Sequence, residues 1–182
     1  MIVRAMELYR RLKAAAQRRG LRFVLVGGHA VNLHGYARST TDLDILVCID
    51  DREAWLSAAA ELGFALSRDG LTFLQLRAPA PSEWPLDLML VGRETFEGVA
   101  QAAQPMRLFD DEVPVVSLSH LLALKLHALK HTNVGPVLKD YEDILNLATI
   151  NKLDLRSDEF RDLCLRYGTI ELYERILRLS QA

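Results

Sequence analysis

Two aspartates separated by a single residue, Asp42 and Asp44, are the first residues of this chain whose types and spacing could do chemistry. They open an apolar run that predicts a strand over residues 42–49. Residues two apart on a strand project from the same face, so both carboxylates should lie on one side of a sheet. Two carboxylates on a rigid face suit a divalent cation, Mg²⁺ or Mn²⁺, that bridges to a nucleotide triphosphate.

A Gly-Gly pair upstream of these acids offers the complementary half of such a site. Gly27 and Gly28 end an apolar strand predicted over Leu21–Val26 and open a short helix predicted over residues 28–35. Without a Cβ, glycine leaves its backbone N–H groups unhindered, which suits the binding of phosphate. A Gly-Gly turn or an Asp-x-Asp pair alone is common, but the combination is far more specific.

Asp87 is a lone charge inside an apolar strand predicted over Leu86–Val91. A buried, unpaired carboxylate is costly, so this side chain should be paired or should face a metal. One interpretation is a third carboxylate that activates the attacking hydroxyl in phosphoryl transfer. The other is a structural ion pair with an arginine such as Arg77, and the residues alone leave both open.

The elements that must position these acids follow from apolar periodicity and turn residues. A helix is predicted over residues 3–19 and ends at Gly20, and Asp51 is expected to cap a helix that runs to Gly63. A hairpin is predicted around Asp69-Gly70, and after residue 117 only helices are predicted, over residues 118–131, 137–149, 158–166 and 169–180. The expected fold is α+β (mixed α/β): a small twisted mixed sheet flanked by helices over residues 1–117, then a C-terminal helical subdomain over 118–182.

Composition excludes several other classes of protein. The 182 residues are 50% hydrophobic and 25% charged, which is typical of one globular domain. Cys48 and Cys164 are the two cysteines, too few for a disulfide scaffold or a four-thiolate zinc site. No apolar stretch approaches the roughly 18 residues that span a bilayer, so a cytoplasmic protein without membrane contact is expected.

The N-terminal segment is basic although the net charge of the chain is −2. The first 22 residues contain one acidic residue, Glu7, and seven basic residues: Arg4, Arg10, Arg11, Lys13, Arg18, Arg19 and Arg22. A solvated helix face is the favoured interpretation, and an RNA-facing surface is the alternative.

The histidines give only weak signals. His127 and His131 have the spacing of a metal chelate on a helix, but no third ligand is evident. For His29, which follows the Gly-Gly pair, a capping or packing role is favoured over a role in lining the pocket.

The motif residues taken together resemble those of a known superfamily. Gly27-Gly28, the run Arg38-x-Thr40-x-Asp42-x-Asp44 and Asp87 resemble the nucleotidyltransferase superfamily that includes DNA polymerase β. Lys125, followed by Lys139-Asp140-x-x-Asp143, is similar to the AbiEii/AbiGii toxin type, which carries a lysine in the first helix after the sheet and a Lys/Arg-Asp-x-x-Asp motif in the next. The resemblance covers residues 20–150 approximately.

The resemblance implies a role for each motif residue. Gly27 and Gly28 would approach the β- and γ-phosphates, and Asp42 and Asp44 would hold Mg²⁺ or Mn²⁺. Asp87 would help to hold a second metal ion and deprotonate the acceptor hydroxyl. Arg38 and Thr40 would steady the loop or touch phosphate, and Lys125 would contact the nucleotide unless it is a solvated lysine. Nucleotide-binding roles are also implied for Asp140 and Asp143. Asp140 and Asp143 could equally have a structural role, because acidic residues in the first turns of a helix interact favourably with its dipole.

The expected activity is Mg²⁺-dependent transfer of a nucleoside monophosphate from an NTP, such as ATP, to a hydroxyl acceptor. The toxin-type resemblance implies RNA, especially tRNA, as the acceptor and a cognate antitoxin protein as a partner. One alternative is a small-molecule nucleotidyltransferase similar to the aminoglycoside adenylyltransferases. The other is a nucleotide-binding or protein-interaction module without catalysis, against which the presence of all three acids argues.

Overall fold

The computed structural model describes residues 2–108, 110–131 and 137–181, and the chain divides into two compact units. One unit comprises Met1–Ala30 and Ser39–Ser117, and the other comprises Val31–Arg38 and Leu118–Ala182. Residues 31–38 therefore group with the C-terminal helices, whereas the sequence-based division at residue 117 assigns them to the first part. The assignment of residues 1–117 and 118–182 to a catalytic part and a helical subdomain stays a prediction.

The first unit is built on a seven-stranded mixed sheet in the order β3-β4-β5-β2-β1-β7-β6. Its strands are β1 (Val24–Leu25), β2 (Leu43–Cys48), β3 (Ala65–Asp69), β4 (Phe73–Arg77), β5 (Leu86–Val91), β6 (Gln104–Leu108) and β7 (Asp111–Val115). The pairs β2–β5 and β1–β7 are parallel, and the remaining neighbours are antiparallel. This confirms the predicted mixed α/β fold and places the two acid-bearing strands side by side in the middle of the sheet.

Burial along β2 and β5 explains why these strands hold acids rigidly. On β5 the leucines Leu86, Leu88 and Leu90 are buried, while Asp87 and Met89 between them are partly exposed. The β2 strand is buried at every position except Asp44. Both carboxylates therefore extend from backbones that are anchored in the core by their apolar neighbours.

Four helices accompany the sheet: α1 (Ile2–Arg18), α2 (Gly27–Leu33), α3 (Arg52–Glu61) and α4 (Arg93–Gln101). The core face of α1 includes Leu8, Leu12 and Ala16, which follow helical spacing, and the predicted stop at Gly20 has the left-handed φ of +64°. Arg4, one of the basic residues noted in the sequence, lies outside the residues whose side chains are described.

Three expectations for the first unit need correction. The central strand β1 contains only two ladder residues, because Leu21 and Phe23 are buried without pairing. Asp51 makes no side-chain cap bond, since the chain enters α3 through a 3₁₀ turn over Ile49–Asp51. The sequence analysis also missed α4 and β6, and it began the acid strand at Asp42, which in fact precedes β2.

The second unit contains α5 (Leu118–His131), α6 (Val137–Ile150), α7 (Asp158–Tyr167) and α8 (Ile170–Leu179). These bounds agree with the predicted helices to within one residue at each end. Ser157 and Thr169 cap α7 and α8, since their hydroxyl oxygens accept bonds from the backbone N–H groups of Phe160 and Leu172. Among the residues that the structure describes, no helix has both the length and the apolar character needed to cross a membrane.

Candidate active site

The Gly-Gly turn lies directly against the carboxylate of Asp44. Gly27 has a φ of +61°, and a Cβ built on it would stand 1.9 Å from Oδ2 of Asp44. The backbone N–H of Gly28 donates a long hydrogen bond of 3.4 Å to the same oxygen. Glycine is therefore required at position 27 for two reasons: the left-handed backbone and the space that the carboxylate occupies.

Asp42, immediately before β2, is oriented by its own loop. The Thr40 hydroxyl donates a hydrogen bond of 2.5 Å to Oδ1 of Asp42. Both side chains are half-buried. The contact leaves the second oxygen of the Asp42 carboxylate available to another ligand. Of the two roles implied for Thr40, steadying the loop or touching phosphate, the contact is of the first kind.

The parallel register between β2 and β5 brings Asp44 and Asp87 opposite one another. Neighbouring strands lie about 4.8 Å apart and paired residues share a face, so the two carboxylates point to the same side of the sheet. Burial raises the pKa of the Asp87 carboxyl above its usual value, a hydrogen bond from Gln75 lowers it, and the charge of Asp42 raises it. The register thus places Asp44 beside Asp87, and Asp42 is near enough for its charge to act on Asp87.

The alternative interpretation of Asp87 as an ion-pair residue is not supported. Across the described ranges, no salt bridge involves Asp87, and Arg77 is exposed at the end of β4. The partner of Asp87 is Gln75, whose Nε2 donates to Oδ2 at 3.1 Å. Sequence analysis missed this contact, although Gln75 was recognisable as a polar residue between two leucines in a predicted hairpin strand.

As placed in the structure, the three carboxylates do not form a complete metal site by themselves. Within the part of the chain that is described, no group of three or more His, Cys, Asp or Glu side chains is placed to hold a metal ion. Mg²⁺ is usually held by one or two carboxylates, substrate phosphates and water. Asp42, Asp44 and Asp87 offer hard carboxylate oxygens, the ligand type that Mg²⁺ prefers.

The remaining motif residues form an ion network within the second unit. The Arg38 guanidinium makes a two-pronged contact with Asp143, Nε to Oδ1 at 2.6 Å and Nη2 to Oδ2 at 2.9 Å. Lys125 Nζ lies 2.7 Å from both Asp140 and Asp143. The side chain of Asp143 is 0% exposed, and those of Arg38 and Lys125 are each 12% exposed. The positive charges of Arg38 and Lys125, predicted to contact nucleotide, are thus neutralised by Asp140 and Asp143.

Removal of the buried charge of this network should be strongly destabilising. We expect Asp143→Asn to lower the free energy of unfolding by about 3–5 kcal/mol, because Arg38 and Lys125 would lose their shared counter-ion in a site with little water. Urea unfolding followed by circular dichroism measures this. Asp111→Asn is the control, since its pair with Arg10 is exposed and should contribute little. Equal losses in the two variants would contradict the expectation.

Several basic side chains of α1 and of the segment that follows it pair with acids of the same unit. Arg10 pairs with Asp111 at 2.8 Å, Arg19 with Glu61, and Arg22 of the following segment with Glu97. Lys13 Nζ donates to the Glu112 carbonyl at 2.9 Å. These contacts favour the structural interpretation of the basic segment over a surface committed to RNA.

The histidines have packing contacts. His29 is buried and lies against Trp84, with ring centroids 4.7 Å apart, as the packing interpretation expected. The rings of His127 and His131 are 4.4 Å apart on α5. No third metal ligand joins that pair among the described residues.

The fold is that of nucleotidyltransferases in solved structures. The chain is similar to ANT(2″)-Ia in complex with adenylyl-2″-tobramycin, with 18% identity, a TM-score of 0.66, and coverage of 88% of this chain and 95% of that one. It is also similar to the lincomycin-bound lincosamide antibiotic adenylyltransferase LnuA, with 16% identity, a TM-score of 0.58, and coverage of 80% and 96%. A third similar structure is an antigenic nucleotidyltransferase-like protein from Paracoccidioides brasiliensis, with 17% identity, a TM-score of 0.55, and coverage of 93% and 88%.

The family model described as nucleotidyl transferase AbiEii toxin, type IV toxin–antitoxin system, matches residues 10–181. The chain therefore belongs to the AbiEii nucleotidyltransferase family and is an enzyme of that class. No curated protein sequence matches it. The match covers nearly all of the chain, beyond the segment on which the sequence resemblance was based.

Proposed function

We propose that this protein transfers a nucleoside monophosphate from an NTP to a hydroxyl group on RNA, with tRNA as the first acceptor to test. The observation that carries the proposal is the pairing of Asp44 with Asp87 across β2 and β5, within reach of the charge of Asp42. Membership of a toxin-type family favours RNA as the acceptor and a cognate antitoxin as a protein partner.

In the proposed reaction the acceptor oxygen attacks the α-phosphorus, its proton passes to Asp87, and pyrophosphate leaves. Asp42 and Asp44 would hold Mg²⁺ or Mn²⁺, which neutralises charge on the phosphates when it is bound. Asp87 would contribute to a second metal ion and act as the general base, for which its raised pKa is suited. The backbone N–H groups of the Gly27-Gly28 turn would approach the β- and γ-phosphates.

Nucleotide contact by Arg38, Lys125, Asp140 and Asp143 stays a prediction. The ion network supports a narrower role, because Lys125 is held by two carboxylates and Arg38 by one. A phosphate that bound Lys125 would have to compete with Asp140, the more exposed of the two acids.

A small-molecule acceptor is the second candidate. Two of the similar structures are named for antibiotics, one as a complex with adenylyl-2″-tobramycin and one as a lincosamide adenylyltransferase. The pairing of Arg10, Arg19 and Arg22 with acids, together with a net charge of −2, also weakens the electrostatic argument for RNA.

Transfer of radiolabel tests both candidates on one preparation. The protein is incubated with Mg²⁺ and each of the four α-labelled NTPs, with total tRNA or a panel of aminoglycosides and lincosamides as acceptors. We expect label on tRNA, and none with a variant in which Asp42 and Asp44 are both asparagine. Label on an antibiotic alone would select the second candidate, and no label on any acceptor would contradict the proposed reaction.

Metal binding should depend on nucleotide. Because three neighbouring carboxylates and a triphosphate repel one another, we expect each NTP to bind measurably only with Mg²⁺ or Mn²⁺ present, and the ion to bind more weakly without NTP. Isothermal titration calorimetry of both orders of addition measures this, with excess EDTA as the control. NTP affinity that is unchanged by EDTA would argue against carboxylates as the metal ligands.

A further inference from the structure

We propose that Gln75 is a positioning residue that fixes the orientation of the Asp87 carboxylate for catalysis. The inference rests on the proposed role of Asp87 as general base and adds a residue to it. Gln75 belongs to β4, a strand that carries none of the motif residues of the site.

The register places Gln75 beside Asp87. In the antiparallel pairing of β4 and β5, Gln75 lies opposite Asp87, and in the parallel pairing of β5 and β2, Asp87 lies opposite Asp44. The three side chains therefore form one row across three adjacent strands. Gln75 Nε2 donates to Oδ2 of Asp87 at 3.1 Å.

The backbone of Gln75 is as firmly held as that of Asp87. Its neighbours on β4, Leu74 and Leu76, are 0% and 2% exposed and anchor the strand from the opposite face. The Gln75 side chain is half-buried on the same face as the acids. A donor on such a strand can hold one carboxylate oxygen in place and leave the other free to accept a proton.

An amide is chemically suited to this task. The charge of Asp42 acts on Asp87, and a carboxylate without a hydrogen-bond partner would lower such repulsion by rotation. An arginine or lysine partner would resist that rotation, but it would also neutralise the charge that a metal ion and a proton need. A glutamine donates a hydrogen bond and adds no charge, so Asp87 is held without losing its negative charge.

The decisive variant is Gln75→Met, which keeps the length of the side chain and removes the donor. We expect kcat for transfer to fall about 10–100-fold with KM for NTP nearly unchanged. An effect of this size is usual when the residue that orients a metal-binding or catalytic side chain is lost. Gln75→Glu should be slower still, because it replaces the donor with a negative charge next to Asp87. A merely structural side chain would not produce this order at constant KM.

Crystal structures of the wild type and of Gln75→Met, determined without nucleotide, supply a readout that is independent of activity. We expect the Asp87 carboxylate to be rotated in the variant and unchanged in Arg77→Met. Arg77 lies two residues further along the same strand and is exposed, so it is the matched control for stability and for rate. Thermal unfolding of all three proteins checks that the fold is retained.

The outcomes separate this inference from the proposed function. If the wild type transfers label and Gln75→Met does so at the same rate with Asp87 unmoved, the positioning role is wrong and the function stands. If the wild type transfers nothing, the proposed function fails, and the crystallographic comparison still decides whether Gln75 orients Asp87. Equal losses in Gln75→Met and Arg77→Met would also overturn the inference.

Discussion

Replacement of Asp87 with asparagine should slow nucleotidyl transfer by at least ~10²-fold while NTP binding stays close to that of the wild type. Deprotonation of the acceptor hydroxyl matters in the transition state, so loss of the base lowers turnover more than ground-state affinity. Asp42→Asn and Asp44→Asn should differ, because both residues serve capture of the triphosphate. Those variants should lose NTP binding and transfer together.

The stability of the Asp87→Asn variant distinguishes catalysis from structure. The pKa of Asp87 is raised in the folded protein, so the folded state holds this proton more tightly than the unfolded chain does. Protonation of Asp87 therefore stabilises the folded protein increasingly as the pH falls through the raised pKa. At neutral pH the ionised carboxylate destabilises it. A neutral asparagine should be at least as stable as the wild type at pH 7.

Thermal unfolding and radiolabel transfer on the same preparations measure both effects. A variant that melts at the wild-type temperature but transfers slowly supports a catalytic role for Asp87. A destabilised variant with full activity would instead assign Asp87 a structural role and remove it from the catalytic set.

The second large effect is expected from Gly27→Ala, which should reduce transfer to the background level. A Cβ at position 27 would stand 1.9 Å from Oδ2 and 2.4 Å from Cγ of Asp44, too close for both to remain. The carboxylate must turn away from the site or the turn must open. In either case the oxygen that receives the Gly28 N–H is displaced, and Mg²⁺-dependent NTP binding should be lost with it.

Gly20→Ala is a matched control for this variant. Gly20 has a φ of +64°, nearly that of Gly27, but no described atom lies within 4 Å of the position of its added Cβ. Both variants incur the cost of about 1–2 kcal/mol for a left-handed backbone on a residue with a Cβ. Only Gly27→Ala adds the collision with Asp44.

Calorimetry with Mg²⁺ and NTP, transfer assays and thermal unfolding compare the two glycine variants. We expect Gly20→Ala to be modestly destabilised and active. If Gly27→Ala retained the NTP affinity and rate of Gly20→Ala, the position of the Asp44 carboxylate would not matter for the reaction, and the assignment of Asp44 as a metal ligand would fail.

Features of this protein that depend on neighbours along the chain could be read from the sequence alone. The alternation of leucines around Asp87 predicted β5 with its observed bounds. Apolar periodicity predicted the four C-terminal helices to within a residue at each end. The two-residue spacing predicted that Asp42 and Asp44 share one face. Asp87 was added as a lone charge in an apolar strand and through the family resemblance.

Features that depend on distant parts of the chain needed the tertiary structure. Arg38 and Asp143 are 105 positions apart, and no local pattern indicates that the arginine of one motif neutralises an acid of another. Gln75 meets Asp87 only through the register of β4 against β5. The two-residue length of β1 was likewise unpredictable. Apolar residues occur both in paired strands and in buried segments without strand pairing, so the apolar run Leu21–Val26 did not show where pairing begins. The periodicity of a helix or strand depends on residues that are close in sequence, whereas the partners in strand pairing and ion pairs depend on how distant segments pack.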